Sequence, residues 1–392
     1  MSIILESNIP TKRLTTNLLF ILTFAAGLSV ANIYYNQPMI GILAKEFNVS
    51  TFAVSFISTL TQAGYALGIF FLSSLGDRIE RKTLIIFTMF LLGLTLLLVA
   101  TSSNLIWLGL SSLIVGILAT VTQQIVPLAV NLAEPDKRGK VIGTITGGIL
   151  LGILLSRAIS GIITDYYGWR MMFYIASGVT FLLMLFLWFY LPIIQPNVQI
   201  GYKKLLISIF SLFNKFKTLR QAAFIQGLLF SAFLAFWTNI SSLFELPSFG
   251  LGSTAVGMLS LVGAVGVFSA PIAGRMADKK DPKSVVTISI SIVIFSFLLF
   301  YIFQNAIIGI ISGVILLDIA VQFSQVSNQT RIYALDATAR SRLNTAFMTT
   351  MFLGGSFGSL AGSIGYQFMG WNGVCIYGVI ASCGALIISL KK

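Results

Sequence analysis

Uncharged or nearly uncharged runs of about twenty residues or more recur along the whole chain, and no other feature limits its fold as strongly. A helix needs about 20 mostly apolar residues, at about 1.5 Å rise each, to cross a hydrocarbon core about 30 Å thick. Twelve such runs stand at about 17–42, 51–75, 83–101, 104–131, 139–166, 170–192, 219–245, 253–276, 283–303, 305–332, 341–368 and 371–390. Several are long enough to require tilt or a kink. Composition leaves no other solvent: 56% of residues are hydrophobic and 9% are charged, where a soluble chain carries about 25%. The expected fold class is an all-α polytopic membrane protein.

The net charge of +13 could point to nucleic acid, but its distribution argues otherwise. Threading twelve spans with the N-terminus inside puts all of the 25 basic residues on one side except Lys45, Arg157 and Arg170. That bias places both termini in the cytoplasm and makes the charge an orientation signal. Cys375 and Cys383 share the last run, too far apart for a disulfide, and read as packing residues. There is no histidine, no metal-ligand cluster and no phosphate-cradling glycine loop. Neither a metal nor a cofactor is expected.

The longest polar interval, 193–218, separates the sixth run from the seventh. It contains KKLLISIFSLFNKFK, a basic and apolar segment suited to lying on anionic headgroups, with partner binding as the other reading. The halves on either side echo one another at an offset of about 200 positions. SSLGDRIERK after the second run answers GRMADKKDPK after the eighth, aligning Asp77 with Asp278. Trp169 answers Trp371, Glu134 and Arg138 answer Asp336 and Arg340, and Gly152 answers Gly354. Six-helix repeats of shared orientation are related by an axis along the membrane normal, with a substrate site between them.

These features together resemble the major facilitator superfamily of secondary transporters. The family's loop after helix 2 reads G-x-x-x-D-[RK]-x-G-[RK]-[RK]. Asp77, Arg78, Arg81 and Lys82 fit it, while Ser73 and Glu80 replace its glycines; the second copy keeps Gly274, Asp278 and Lys279. The resemblance implies two pseudo-symmetric six-helix bundles, 1–192 and 219–392, joined by the linker 193–218. It also implies that the two charged loops act in the conformational switch. The segment Asn32–Pro38 and the fifth run look like the bacterial efflux branch of drug/proton antiporters and sugar and nucleoside exporters. Such a chain would sit in the bacterial inner membrane, contacting lipid, and exchange protons for a small-molecule cargo, working as a monomer. Proton-coupled uptake is the alternative within transport; the paired loops and polar cavity helices argue against a receptor or scaffold, and with no nucleophile–base or metal constellation in the sequence no enzyme is expected. The family's intramembrane arginine in helix 4 is missing, with Ser112 in its place.

In that family helices 1, 4, 7 and 10 line the cavity. Their polar and aromatic residues here are Asn32, Tyr34, Tyr35, Asn36 and Gln37; Gln123 and Gln124; Trp237 and Asn239; and Gln322, Gln325, Asn328 and Gln329. Each amide could instead be glue between helices. Asp318 lies deep in the tenth run, where a carboxyl can exchange a proton as access alternates, bind cargo, or form a structural hydrogen bond. Glu245, near the outer end of the seventh run, is a second proton candidate.

The fifth run contains GILLGILLSRAISG, in which Arg157 is the only charge between Val141 and Ile163. The family's antiporter motif, laid on this run, falls on Gly143, Gly152, Ser156, Arg157, Ser160 and Gly161, with arginine for the motif's proline. Small residues at these intervals make a flat face for close packing. The resemblance sets that face against helix 8 at the outer side, so Gly152, Arg157 and Gly161 are gate candidates. Arg157 either bonds polar groups across the seam or extends its stem toward the membrane boundary.

Overall fold

Lipid gives a backbone amide no partner, so a chain of apolar runs closes its hydrogen bonds along helices. The computed structural model describes residues 14–76, 78–193, 201–263, 281–336 and 339–391, and every regular element among them is helical. The switch candidates Asp77, Gly274 and Asp278 lie outside the described residues.

The first run folds as α1 (Thr16–Ala31), a short 3-10 turn (Gln37–Met39) and α2 (Ile40–Phe47). The helix breaks where Pro38 takes the first turn of the next segment, since proline has no N–H to continue the ladder. α3 (Thr51–Gly68) opens on Ser50, whose hydroxyl accepts from Ala53 N, and closes on a π-helical stretch, Ile69–Ser73. α4 (Arg81–Ala100) is followed by α5 (Leu105–Leu118), capped by Asn104. A 3-10 turn at Ala119–Val121 bends the chain into α6 (Thr122–Leu132), which contains Pro127. Two long helices follow, α7 (Arg138–Tyr167) and α8 (Trp169–Tyr190), then α9 (Tyr202–Lys215), α10 (Lys217–Phe244) and α11 (Ser253–Val262). The chain ends with α12 (Pro282–Ile302), α13 (Ile307–Tyr333), α14 (Arg340–Met369) and α15 (Trp371–Leu390).

Among the described residues nine helical stretches are long and apolar enough to cross a membrane, and Thr16–Ala31 and Ser253–Val262 are shorter apolar helices. Each expected run coincides with a helix or a broken pair of helices, the eighth being described only as α11. α1 packs on α7, α3 on α5 and α4 on α8; after the linker, α10 packs on α14 and α15, and α12 on α13. Two seams join the elements before the linker to those after it: α7 with α11, and α3 with α14. Under the offset of about 200 residues, each seam is the counterpart of the other. In α9, Leu205, Ile209 and Leu212 face the protein, beside Leu219 and Phe347, and Tyr202 Oη donates to the Phe71 carbonyl at 3.0 Å.

The repeated glycines have one packing cause. A Cβ on Gly152 would lie 2.3 Å from the Gly27 carbonyl oxygen, and one on Gly354 would lie 2.3 Å from that of Gly227. In both places two helices touch backbone to backbone. Gly152→Ala is therefore expected to cost about 1–3 kcal/mol through overpacking. It should lower the thermal midpoint of the detergent-solubilised protein, while Gly178→Ala, with open space at its Cβ, leaves it unchanged.

Candidate functional site

A cavity of about 640 Å³ lies between the two groups of helices. Its mouth is lined by Ser73, Tyr333, Arg340, Ser341 and Asn344, at the end of the molecule where α7 begins and α9 lies. Its blind end is formed by Tyr34, Arg157, Phe233, Trp237 and Asp318.

Arg157 reaches this blind end because its neighbours on α7 are small. Ser160 comes close enough to the broken first run to donate to the Tyr35 carbonyl at 2.6 Å. A Cβ on Gly161 would strike the Ser253 carbonyl oxygen at 2.3 Å, so α11 crosses α7 in close contact. The Arg157 side chain, only 2% exposed, turns inward rather than toward the membrane boundary. Its Nε donates to Gln37 Oε1 at 2.6 Å. The guanidinium carbon sits 4.7 Å from the Tyr34 ring centroid and 4.4 Å from that of Trp237, within cation–π range. Gln37 and Tyr34 come from the broken first run and Trp237 from α10, so this one charge spans both sides.

Asp318 enters the same cavity from α13. Among the described residues Asp318 and Arg157 form no ion pair. Asp318 Oδ2 lies against Gly263, where a Cβ would come within 2.1 Å of it. That oxygen, Arg157 Nη2 and Trp237 Nε1 are buried without a hydrogen-bond partner among the described residues.

Away from the mouth the molecule is sealed. Lys45 pairs with Glu245 at 3.2 Å, joining α2 to the end of α10. Asp165 accepts from the amides of Ser253 at 3.2 Å and Thr254 at 2.7 Å, so a carboxylate on α7 caps the N-terminus of α11. Ser260 donates to the Leu154 carbonyl at 3.2 Å on the same seam. On the other seam Ser356 donates to the Thr59 carbonyl at 2.9 Å.

Of the residues singled out in the sequence, Tyr34, Gln123, Arg157, Trp237, Asp318, Gln322, Gln325 and Gln329 line the cavity. The structure places others outside it. Asn32 donates to the Leu28 carbonyl of its own helix, and Asn36 bonds Ser58 and Thr61 of α3. Tyr35 packs edge-on against Phe173, and Gln124 bonds the Leu72 carbonyl. Asn239 bonds Ala235 and Ser363, and Asn328 bonds Ser324 and Arg331. Glu245 belongs to the sealed end, and Gly152 meets Gly27 of α1 rather than α11. Arg78 is exposed; Arg81 reaches the Gln124 carbonyl and Lys82 the Leu191 carbonyl, both on elements before the linker. Sequence reasoning missed Asp165, although it continues the spacing Arg157, Gly161 along one face of α7. It also missed the wall residues Tyr65, Phe230 and Phe352.

The profile of the Major Facilitator Superfamily matches residues 19–359. The chain belongs to this superfamily. It is 38% identical over 379 residues to the uncharacterized transporter YgaY of Escherichia coli O157:H7, covering 97% of this chain and 96% of that one. A Helicobacter pylori (strain P12) protein named "Probable sugar efflux transporter" is 24% identical over 379 residues, covering 95% of each. Among solved structures, the nucleoside transporter NupG matches with a TM-score of 0.76 at 17% identity, over 96% of this chain and all of that one. An inward-facing bacterial homolog of the human lysosomal transporter Spinster matches with a TM-score of 0.71 at 15% identity, over 95% of this chain and 93% of that chain. This is a multi-pass membrane transporter of the superfamily.

Replacing Asp165 by alanine should free the first turn of α11. Hydrogen exchange at Ser253 and Thr254, read by mass spectrometry in lipid nanodiscs, is expected to speed up about two- to thirty-fold, the range that corresponds to losing a helix N-cap.

Proposed function

We propose that this transporter exports small organic molecules in exchange for protons by alternating access. The observation that carries the reading is Asp318, a carboxylate in the wall of a cavity between the two groups of helices, with one buried oxygen unpartnered among the described residues. A proton on Asp318 changes the charge the cavity presents, so protonation and cargo occupancy are linked through one site. With the termini in the cytoplasm of a bacterial inner membrane, as the basic residues favour, the mouth lined by Tyr333 and Arg340 faces the cytoplasm. The sealed side, held by Lys45–Glu245 and Asp165, then faces outward.

In this account residues 1–192 and 219–392 rock about the cavity as two six-helix bundles, with 193–218 as their cytoplasmic tether. The α7–α11 seam parts in the outward-open state, releasing the Asp165 cap. The charged loops carrying Asp77, Arg78, Arg81 and Lys82, and Gly274 and Asp278, close the cytoplasmic side in that state. The monomer carries cargo and protons without catalysing a chemical step. The name of the Helicobacter relative supports export over uptake.

The test is a cargo screen in everted membrane vesicles holding an imposed inside-acid pH gradient. A transported compound is expected to dissipate the gradient. In Asp318→Asn vesicles that response should fall at least tenfold while the protein still reaches the membrane. Full cargo-dependent dissipation in Asp318→Asn would remove the proton role from this residue.

A further inference from the structure

The blind end of the cavity holds two opposite charges that do not meet. Arg157 spends its Nε on Gln37, which leaves Nη2 buried with no acceptor among the described residues. Asp318 Oδ2 is buried with no donor among them. Both residues line one cavity, yet no ion pair within 4.0 Å joins them. On the ring that the arginine covers, Trp237 Nε1–H is a second buried donor without a partner among the described residues. Buried polar atoms left unmatched are costly, and more so when charged. A ligand that satisfies them gains what the protein alone forgoes.

The rest of the wall describes the body of that ligand. Tyr34, Tyr65, Phe230, Phe233, Trp237 and Phe352 give it aromatic surface on several sides. A volume of about 640 Å³ holds a single small organic molecule. A ring fits these walls, and a small shift of the side chains that cover these atoms would let an anionic group meet Arg157 Nη2 with Trp237 Nε1 and an ammonium or other N–H donor meet Asp318.

We infer that the cavity takes an amphoteric aromatic compound, its carboxylate on Arg157 and Trp237 and its amine on Asp318. The inference rests on the transport reading and names the class of its cargo. It also sets the sign of coupling. A proton arriving on Asp318 removes the negative charge that holds the cargo's amine, so proton and cargo compete, as exchange requires. A purely anionic cargo would instead be repelled by ionised Asp318 and would bind best together with the proton.

The probes are tryptophan, tryptamine and indole-3-propionate, which share one ring and differ in carrying both charges, only the amine, or only the carboxylate. Affinity is measured by calorimetry on the full chain in nanodiscs. Tryptophan is expected to bind at least tenfold more tightly than either single-charge analogue. Arg157→Gln should erase its advantage over tryptamine alone, and Asp318→Asn its advantage over indole-3-propionate alone. If Arg157→Gln fails to fold, Trp237→Phe keeps the ring, removes one donor, and should weaken tryptophan about three- to tenfold with tryptamine unchanged. Tryptophan binding no tighter than both analogues, including no binding by any of the three, would overturn the inference. A gradient response to other cargo in the same preparation would show that the transport reading survives that failure.

Discussion

A guanidinium that lipid cannot solvate has to be solvated by protein, and around Arg157 both sides of the molecule meet to do it. An arginine at the centre of a spanning helix costs about 2.5–3.5 kcal/mol on insertion scales unless it is paired or wet. Here the first run breaks ahead of Pro38 and delivers Gln37 and Tyr34 to it, while α10 delivers Trp237. The small residues around Arg157 follow from the same requirement. Ser160 bonds the broken segment, and Gly161 lets α11 come into backbone contact. A bulky apolar neighbour in either place would separate the elements that supply the arginine's surroundings.

The same close packing produces an asymmetry along the molecule. At one end, backbone contact between α7 and α11, the Asp165 cap and the Lys45–Glu245 pair hold the two sides together. Toward the other end the helices diverge into the cavity mouth at Tyr333 and Arg340. The polar contacts that join the two sides there are a serine hydroxyl, a capping carboxylate and a partly exposed ion pair, each contributing at most about 2 kcal/mol. Several such contacts together can hold a state and still be given up together. Interfaces built this way are suited to two discrete arrangements.

Much of this was legible in the chain because lipid makes sequence explicit. A run without charges must span, so the helices could be placed from composition; their breaks could not, since Pro38 stands at the first but the turn at Ala119–Val121 has no proline. An isolated charge inside a run needs a reason, which singled out Arg157 and Asp318, and both line the cavity. The amides were harder. Run position gives a depth but not a partner, and Asn32, Asn36, Asn239 and Asn328 all bond carbonyls or hydroxyls on their own or adjacent helices. The longer glutamines Gln123, Gln322, Gln325 and Gln329 reach the cavity instead. Asp165 escaped notice because, at the end of its run, it looked like an ordinary loop acid. Its partner is a helix N-terminus, a feature without a side-chain signature.

The central claim is that access alternates about the Arg157–Asp318 site and that Asp318 sets the balance. The most direct measurement is a pair of spin-label distances in nanodiscs, with Cys375→Ser and Cys383→Ser as background. One pair, at Tyr166 and Leu246, straddles the sealed end; the other, at Lys140 and Arg342, straddles the mouth. Stepping from about pH 5 to about pH 9, a window that carboxyl groups reach only when taken out of water, should change the two distances by several ångströms in opposite directions. Asp318→Asn should hold both fixed. Two distances that move together, or that respond to pH as strongly in Asp318→Asn, would contradict the account.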